Sequence, residues 1–350
     1  MYRVYLVLFL MLAVAQAQDF ERGAMLESLT TNVILPAHER LLATSESFEQ
    51  AAHSFAENPS PETLDAVQTA WSEAGTAWAG IELYALGPLD IMVLHNQINK
   101  PAINTGFIED YLASGEVNAE TLTKQGSTVK GLTAAEYILF DPEGDGVVLS
   151  GFEDGERLEY LLALSETLHV SAQDLYMYWS PEGENYTATF AAAAEAGGST
   201  KSSINMLVNE MIVVLEEVAR LKLATPLGLT EGGEADSEKA EAYRSETSLE
   251  RIRANVESVE NAFMGADGLG LDDYLVFLDA EAQANLVKEN MTAVLESLNK
   301  VEVSLETALS EQPEILTEIY DAVKALLVVT SVDAANQLGI TVTFSDADGD

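Results

Sequence analysis

In the stretch KGLTAAEYILFD, residues 130–141, one carboxylate interrupts a run of apolar side chains. A helical reading groups Glu136 with Thr133 and Tyr137 on one face. Burying an unpaired charge costs several kcal/mol, so such a Glu is paired, protonated, metal-bound or close to solvent in a cleft. Glu82 raises the same question, because it follows Trp78 at helical spacing on the apolar stripe Leu64, Val67, Trp71 and Trp78. For both carboxylates a functional role and a structural pairing stand side by side.

The other groups able to do chemistry carry less. None of the four histidines lies in an HExxH pattern, so a zinc hydrolase of that type has no support. His53 and His169 read as ordinary helix residues, and His95 falls in an irregular Pro- and Asn-rich segment with no role assigned. His38, after Pro36 near the start of the first helix, is a candidate to face a cleft, against the structural reading that suits a lone histidine. Ser245 and Ser248 invite a nucleophile reading, but no histidine is near in sequence and both stand where helix-capping hydroxyls are wanted. Asp141, Glu143, Asp145 and Gly146 match the opening of a calcium loop whose twelfth position, a bidentate Glu in such loops, is here Phe152. That segment and the tail Asp346, Asp348, Asp350 read as solvated acidic stretches.

The chain that must position these groups has 350 residues, 47% of them hydrophobic, enough apolar material for a large core. Its 58 acidic and 17 basic residues give a net charge of −41, which argues strongly against nucleic acid and anionic membrane as partners. An acidic surface adapted to saline surroundings accounts for such a balance, and a surface that collects cations is the alternative. Cysteine is absent, so disulfides, thiolate ligands, a cysteine nucleophile and a cysteine-linked lipid anchor are excluded, and oxygen and imidazole chemistry remain. Residues 1–17 read as a secretory signal peptide, with Arg3 before an apolar run and small residues at Ala15 and Ala17.

Helical periodicity dominates the mature chain. Ser60 as N-cap and Pro61 at the first helical position open a strong amphipathic helix. A long helix is expected over residues 152–179, after an acidic, glycine-rich loop at 141–155. The shift at Gly197, Gly198 and Ser199 marks a boundary between an N-terminal helical domain, 18–196, and a C-terminal helical-bundle domain with an acidic tail, 197–350. In the second unit Ile204, Leu207, Met211, Leu215, Val218 and Leu221 form one apolar stripe. A capping box of Thr247 and Glu250 is expected to start the next helix, with further helices over 280–310 and 313–329. The fold class expected is all-α, two packed helical bundles.

Taken in order, these motifs resemble those of the imelysin-like family. Gly131, Thr133 and Glu136 stand at the Gly, His and Glu positions of its GxHxxE signature. Trp71, Trp78 and Glu82 with Gly87-Pro88, Arg157 with Tyr160, the segment LKLATPLGL, and Glu241, Ser245, Ser248-Leu249 and Asn255 carry the likeness along essentially the whole mature chain. The resemblance implies two bundle-like helical domains, export to the periplasm or outer membrane, and an association with iron uptake. Some members carry a peptidase label, and the family's site lies in a cleft between the domains. Thr133 replaces the family's histidine and can serve neither as an imidazole ligand nor as a general base. On this resemblance Glu136 faces the cleft, with Thr133, Glu82, Ser245 and Ser248 near it; His38 joins the candidate residues from its own position after Pro36. Glu136 and Glu82 are then the candidate metal ligands, and an all-oxygen set favours iron or another hard divalent cation over zinc.

The function expected is a non-catalytic exported binding protein of iron acquisition, its partners a metal ion or metal chelate and an uptake protein of the periplasm or outer membrane. A divergent metallopeptidase with Glu136 as general base, and a structural or partner-binding bundle with a vestigial cleft, are the alternatives. The charge balance yields a prediction of its own. Because the Debye length shrinks to about 3 Å at 1 M salt, the melting temperature of the mature protein should rise markedly toward molar NaCl or KCl alike. A melting temperature flat across that range contradicts the saline reading.

Overall fold

The computed structural model describes residues 20–87, 89–100, 102–153, 155–193, 202–230 and 232–343. The expected leader, the boundary at Gly197–Ser199 and the acidic tail lie outside them. Every regular element among the described residues is helical, as the periodicity predicts.

Leu35–Glu57 is the axis of the first group, packed along both Pro61–Ala79 and Gly155–Trp179. Pro61–Ala79 begins where the sequence places it: the Ser60 hydroxyl accepts from Thr63 N and the Thr63 hydroxyl accepts from Ser60 N. Leu132–Leu139 lies against both Pro61–Ala79 and Gly155–Trp179. The second group comprises Ser203–Glu217, Ser248–Met264, Glu281–Leu298 and Pro313–Val328. Ser248–Met264 also packs on Pro61–Ala79, and the buried apolar residues of both groups, from Met25 to Ala335, form one contiguous cluster. No helix among the described residues is long and apolar enough to cross a membrane.

Several local expectations are corrected. His95 lies in the helix Leu89–Ile98, not in an irregular segment. The acidic loop folds in part into Asp145–Gly151, because Val148 and Phe152, one turn apart, are both buried. The helix expected over 280–310 breaks after Leu298, and Ser304 caps a separate element, Leu305–Glu311. The capping box at Thr247 is not formed, since the Thr247 hydroxyl pairs with Ser245 Oγ at 3.0 Å instead.

One correction bears directly on the site. Ser203–Glu217 runs on into a π-helical segment, Val218–Ala224. The wider turn moves each following side chain round the axis. Leu221, expected on the apolar stripe, is 45% exposed, and Lys222 is buried in its place.

His38 sits deep in the first group, with Nδ1 2.8 Å from Ile34 O and its ring 5.8 Å from Trp179 and 6.1 Å from Tyr84. Burial pushes its pKa down to about 4 against the raising effect of the Ile34 carbonyl. A folded value below the unfolded one means that the contribution is complete above pH 6.5 and is lost as pH falls from 6.5 toward 4. Denaturant titrations at pH 7 and pH 5 should therefore show that His38→Leu removes about 2 kcal/mol of the acid-induced loss of stability. Equal losses in variant and wild type would show that His38 is not held neutral by burial.

Candidate functional site

Glu136 projects from Leu132–Leu139, a helix buried over nearly its whole surface. Two constraints fix that helix. Gly131 precedes it at φ 82°, where a Cβ would collide with Ile98 O, and the Trp71 indole N–H donates to Leu132 O at 2.9 Å. Glu136 is 1% exposed, and its Oε1 accepts from both the backbone N–H and the hydroxyl of Ser245, at 3.0 and 2.9 Å. The turn that delivers Ser245 passes through Glu246 at φ 56°, a conformation unusual for a residue with a long side chain. Burial dominates the Glu136 carboxyl and raises its pKa, while Arg251, the two Ser245 bonds and Arg244 pull it back only in part.

Beside it, Lys222 carries its ammonium into a cage of oxygens. Nζ lies 2.9 Å from Glu82 Oε2, 3.0 Å from Glu241 Oε2 and 2.7 Å from Asn255 Oδ1. Asn255 bridges the set, its amide donating to Glu82 Oε2 at 2.7 Å and to Ala79 O at 2.8 Å. The Trp78 indole closes Glu82 from the other side, 2.9 Å from Oε1. Burial alone would lower the Lys222 pKa, but Glu241 and Glu82 outweigh it and hold the ammonium above the usual lysine range. For Glu241, burial acts upward and is overcome by Lys222 and Arg251, so its carboxyl stays below the ordinary carboxylate value.

Arg251 completes the buried charges. It is 1% exposed, with its guanidinium 5.0 Å from the Trp71 ring and Nη1 3.5 Å from Glu241 Oε1. A Cβ on Gly75 would stand 2.7 Å from Arg251 Nη2, so a larger residue there would force the guanidinium to shift. Arg244 is half-buried and stacks over Tyr243 at 4.3 Å and Tyr137 at 5.4 Å. These elements enclose a cavity of about 460 Å³ whose wall includes Glu82, Thr133, Glu136, Lys222, Glu241 and Arg244.

Among the candidates from the sequence, Glu136, Thr133 and Glu82 meet at this wall, and Ser245 reaches it through Glu136. Thr133 turns its hydroxyl away, donating to Asn99 Oδ1 at 2.8 Å. Ser248 is engaged elsewhere, accepting from Ala242 N at 3.0 Å and donating to Glu306 Oε1 at 2.5 Å. Neither serine caps the helix. His38 is not among the lining residues and belongs to the core described above. Glu82 does not offer its oxygens to a metal, because Trp78, Lys222 and Asn255 fill them. No group of three or more His, Cys, Asp or Glu among the described residues is placed to hold a metal ion. Lys222 enters the sequence reading only within LKLATPLGL, and neither it nor Arg244 or Arg251 is given a role there, although the first and last could have been found by the cue used for Glu136, a charge among apolar helical positions.

Comparison with known proteins bears on the family and the fold. Residues 34–332 match the family model described as Imelysin, Peptidase_M75. The "Iron-regulated protein A" of Synechococcus elongatus is 23% identical over 266 residues, 73% of this chain and 69% of the relative. Two solved structures share the fold at a TM-score of 0.75. An imelysin-like protein from Psychrobacter arcticum 273-4 is 18% identical, with 93% of this chain and 97% of that one covered. A putative iron-regulated protein A precursor from Parabacteroides distasonis ATCC 8503 is 17% identical with the same coverage.

The oxygen cage predicts a large, pH-dependent cost when its cation is removed. Lys222→Met leaves the Glu82 and Glu241 carboxylates facing each other without their ammonium, and should destabilise the protein by about 3–5 kcal/mol at pH 7. As pH falls toward 5 the freed carboxylates take up protons, so the cost should shrink. Chemical denaturation at the two pH values measures it; a small, pH-independent loss would mean that the ammonium does not neutralise this pair.

Proposed function

The chain belongs to the imelysin family, and on that premise we propose that it is an exported, non-catalytic binding protein of iron acquisition whose cavity takes iron within a small ligand rather than as a bare ion. The observation that carries the reading is Lys222. Its ammonium already takes the oxygens of Glu82, Glu241 and Asn255 that a naked cation would need. A volume of about 460 Å³ suits a small molecule and far exceeds one ion. The iron-regulated name of the Synechococcus relative supports the cargo, and the leader-like residues 1–17 support export. A periplasmic or outer-membrane uptake partner belongs to the same reading.

The peptidase in the family's description motivates a second reading, in which Glu136, buried and raised in pKa, acts as a general base. Metal-assisted hydrolysis also needs a ligand set, and Glu82, the other carboxylate expected to supply one, is engaged by Lys222.

Isothermal titration tests the proposal. Iron presented with a small chelator should saturate one site, and bare ferrous, zinc and calcium ions should bind at least about tenfold more weakly, a difference of about 1.4 kcal/mol. Absence of saturable binding for iron in every form contradicts it. Incubation with an unfolded polypeptide should give no cleavage; cleavage abolished by Glu136→Gln would replace the binding reading with the hydrolytic one.

A further inference from the structure

We propose that the ligand of this cavity is a carboxylate-bearing small molecule whose carboxylate is gripped by the Arg244 guanidinium. The inference rests on the reading of the cavity as a binding site and adds the chemical class that fills it.

In a chain with 58 acidic and 17 basic residues, carboxylate partners are abundant for a cation. Arg157, 5.9 Å from the same Tyr137 ring, takes one, pairing with Glu109 at 2.7 Å. Arg244 stacks on its two rings and has neither an ion pair nor a hydrogen bond among the described residues, although it stands in the cavity wall, near enough to Glu136 for its charge to act on that carboxyl. Stacking engages the face of a guanidinium and leaves the N–H donors at its edge available. A planar fork of donors fits a carboxylate in two parallel hydrogen bonds.

The tyrosines hold that fork in place. The Tyr137 hydroxyl donates to Glu109 Oε1 at 2.8 Å, so one ring is anchored by the Glu109–Arg157 pair. The guanidinium is thus oriented before any ligand arrives, which lowers the entropy cost of binding.

The carboxylates nearby do not make the cavity a site for a free cation. Glu82 and Glu241 are neutralised by Lys222 and Arg251. Glu136 has Oε1 filled by Ser245, and burial followed by Glu82 raises the pKa of Glu217. Behind Glu136, the buried Arg251 has Nε and Nη2 without a hydrogen-bond partner among the described residues, and its charge acts on Glu136 as well as on Glu241. Ala102, Ile103 and Leu221 offer an apolar floor for the body of the ligand.

Four probes decide the matter by titration calorimetry on the full mature chain: ferric citrate, citrate alone, inorganic phosphate, and a neutral ferric trihydroxamate. The wild type should prefer ferric citrate to the neutral chelate by about tenfold or more, and should bind citrate alone measurably while binding phosphate less well. Arg244→Gln should weaken both citrate forms about ten- to a hundredfold, Arg244→Lys should weaken them less, and both variants should melt within a few degrees of wild type. Equal binding of carboxylate and neutral chelates, or a preference that survives Arg244→Gln, overturns the inference. Phosphate binding as tight as citrate overturns the carboxylate class. Citrate binding that depends on Arg244 but gains nothing from iron supports this inference and contradicts the iron reading, whereas no binding of any probe contradicts both.

Discussion

A lysine ammonium cannot be taken out of water unless oxygens replace the hydration it loses, and in this protein they come from distant stretches of chain. Glu82 follows the end of Pro61–Ala79, Glu241 lies in the turn before Ser248–Met264, and Asn255 lies within that helix. Lys222 itself sits on a π-helical segment that turns it inward. The charge therefore specifies how these elements meet, because any sliding between them would leave a buried charge without its partner. The apolar cluster that runs through both helical groups supplies the burial, and the ion cage selects the register.

From that junction the remaining features can be traced in turn. Glu241 also pairs with Arg251, whose guanidinium lies over Trp71 in space that Gly75 leaves open. Trp71 in turn holds Leu132 O, and so the start of the helix that carries Glu136. On the opposite side, the turn strained at Glu246 aims Ser245 at the same carboxylate. Glu136 is fixed from both directions, and the cavity is the volume these connected groups do not fill. A site built this way is preorganised: its polar atoms are oriented by the fold before any ligand enters.

How much of this is legible in the sequence depends on the range of the interaction. The long helices, the Ser60 cap and the anomaly of Glu82 and Glu136 are local patterns of period and composition, and they can be read directly. Lys222 is different. Three and four residues after Val218, Leu221 and Lys222 both suit the apolar stripe at α-helical spacing, and only the folded chain, with its π-helical turn, shows that the lysine is the one buried. Ser245 and Ser248 look like caps because their positions suit caps; their actual partners, Glu136 and Glu306, lie 109 and 58 residues away. His38 gives no local sign of whether it faces a cleft or a core, since both require burial. Arg244 is invisible for the opposite reason, being an ordinary polar residue whose meaning comes from the rings it stacks on and from the lack of an ion pair among the described residues.

The resident ammonium is, on the proposed account, the reason that the cavity takes a liganded metal and not a naked one. Diffraction at the iron absorption edge from crystals grown with ferric citrate tests this most directly. The account predicts an anomalous peak inside the cavity, with the metal held by its chelator, a chelator carboxylate against Arg244, and Lys222 still in contact with Glu82 and Glu241. A peak coordinated directly by Glu136 or Glu82, with the Lys222 ammonium displaced from its cage, would contradict it.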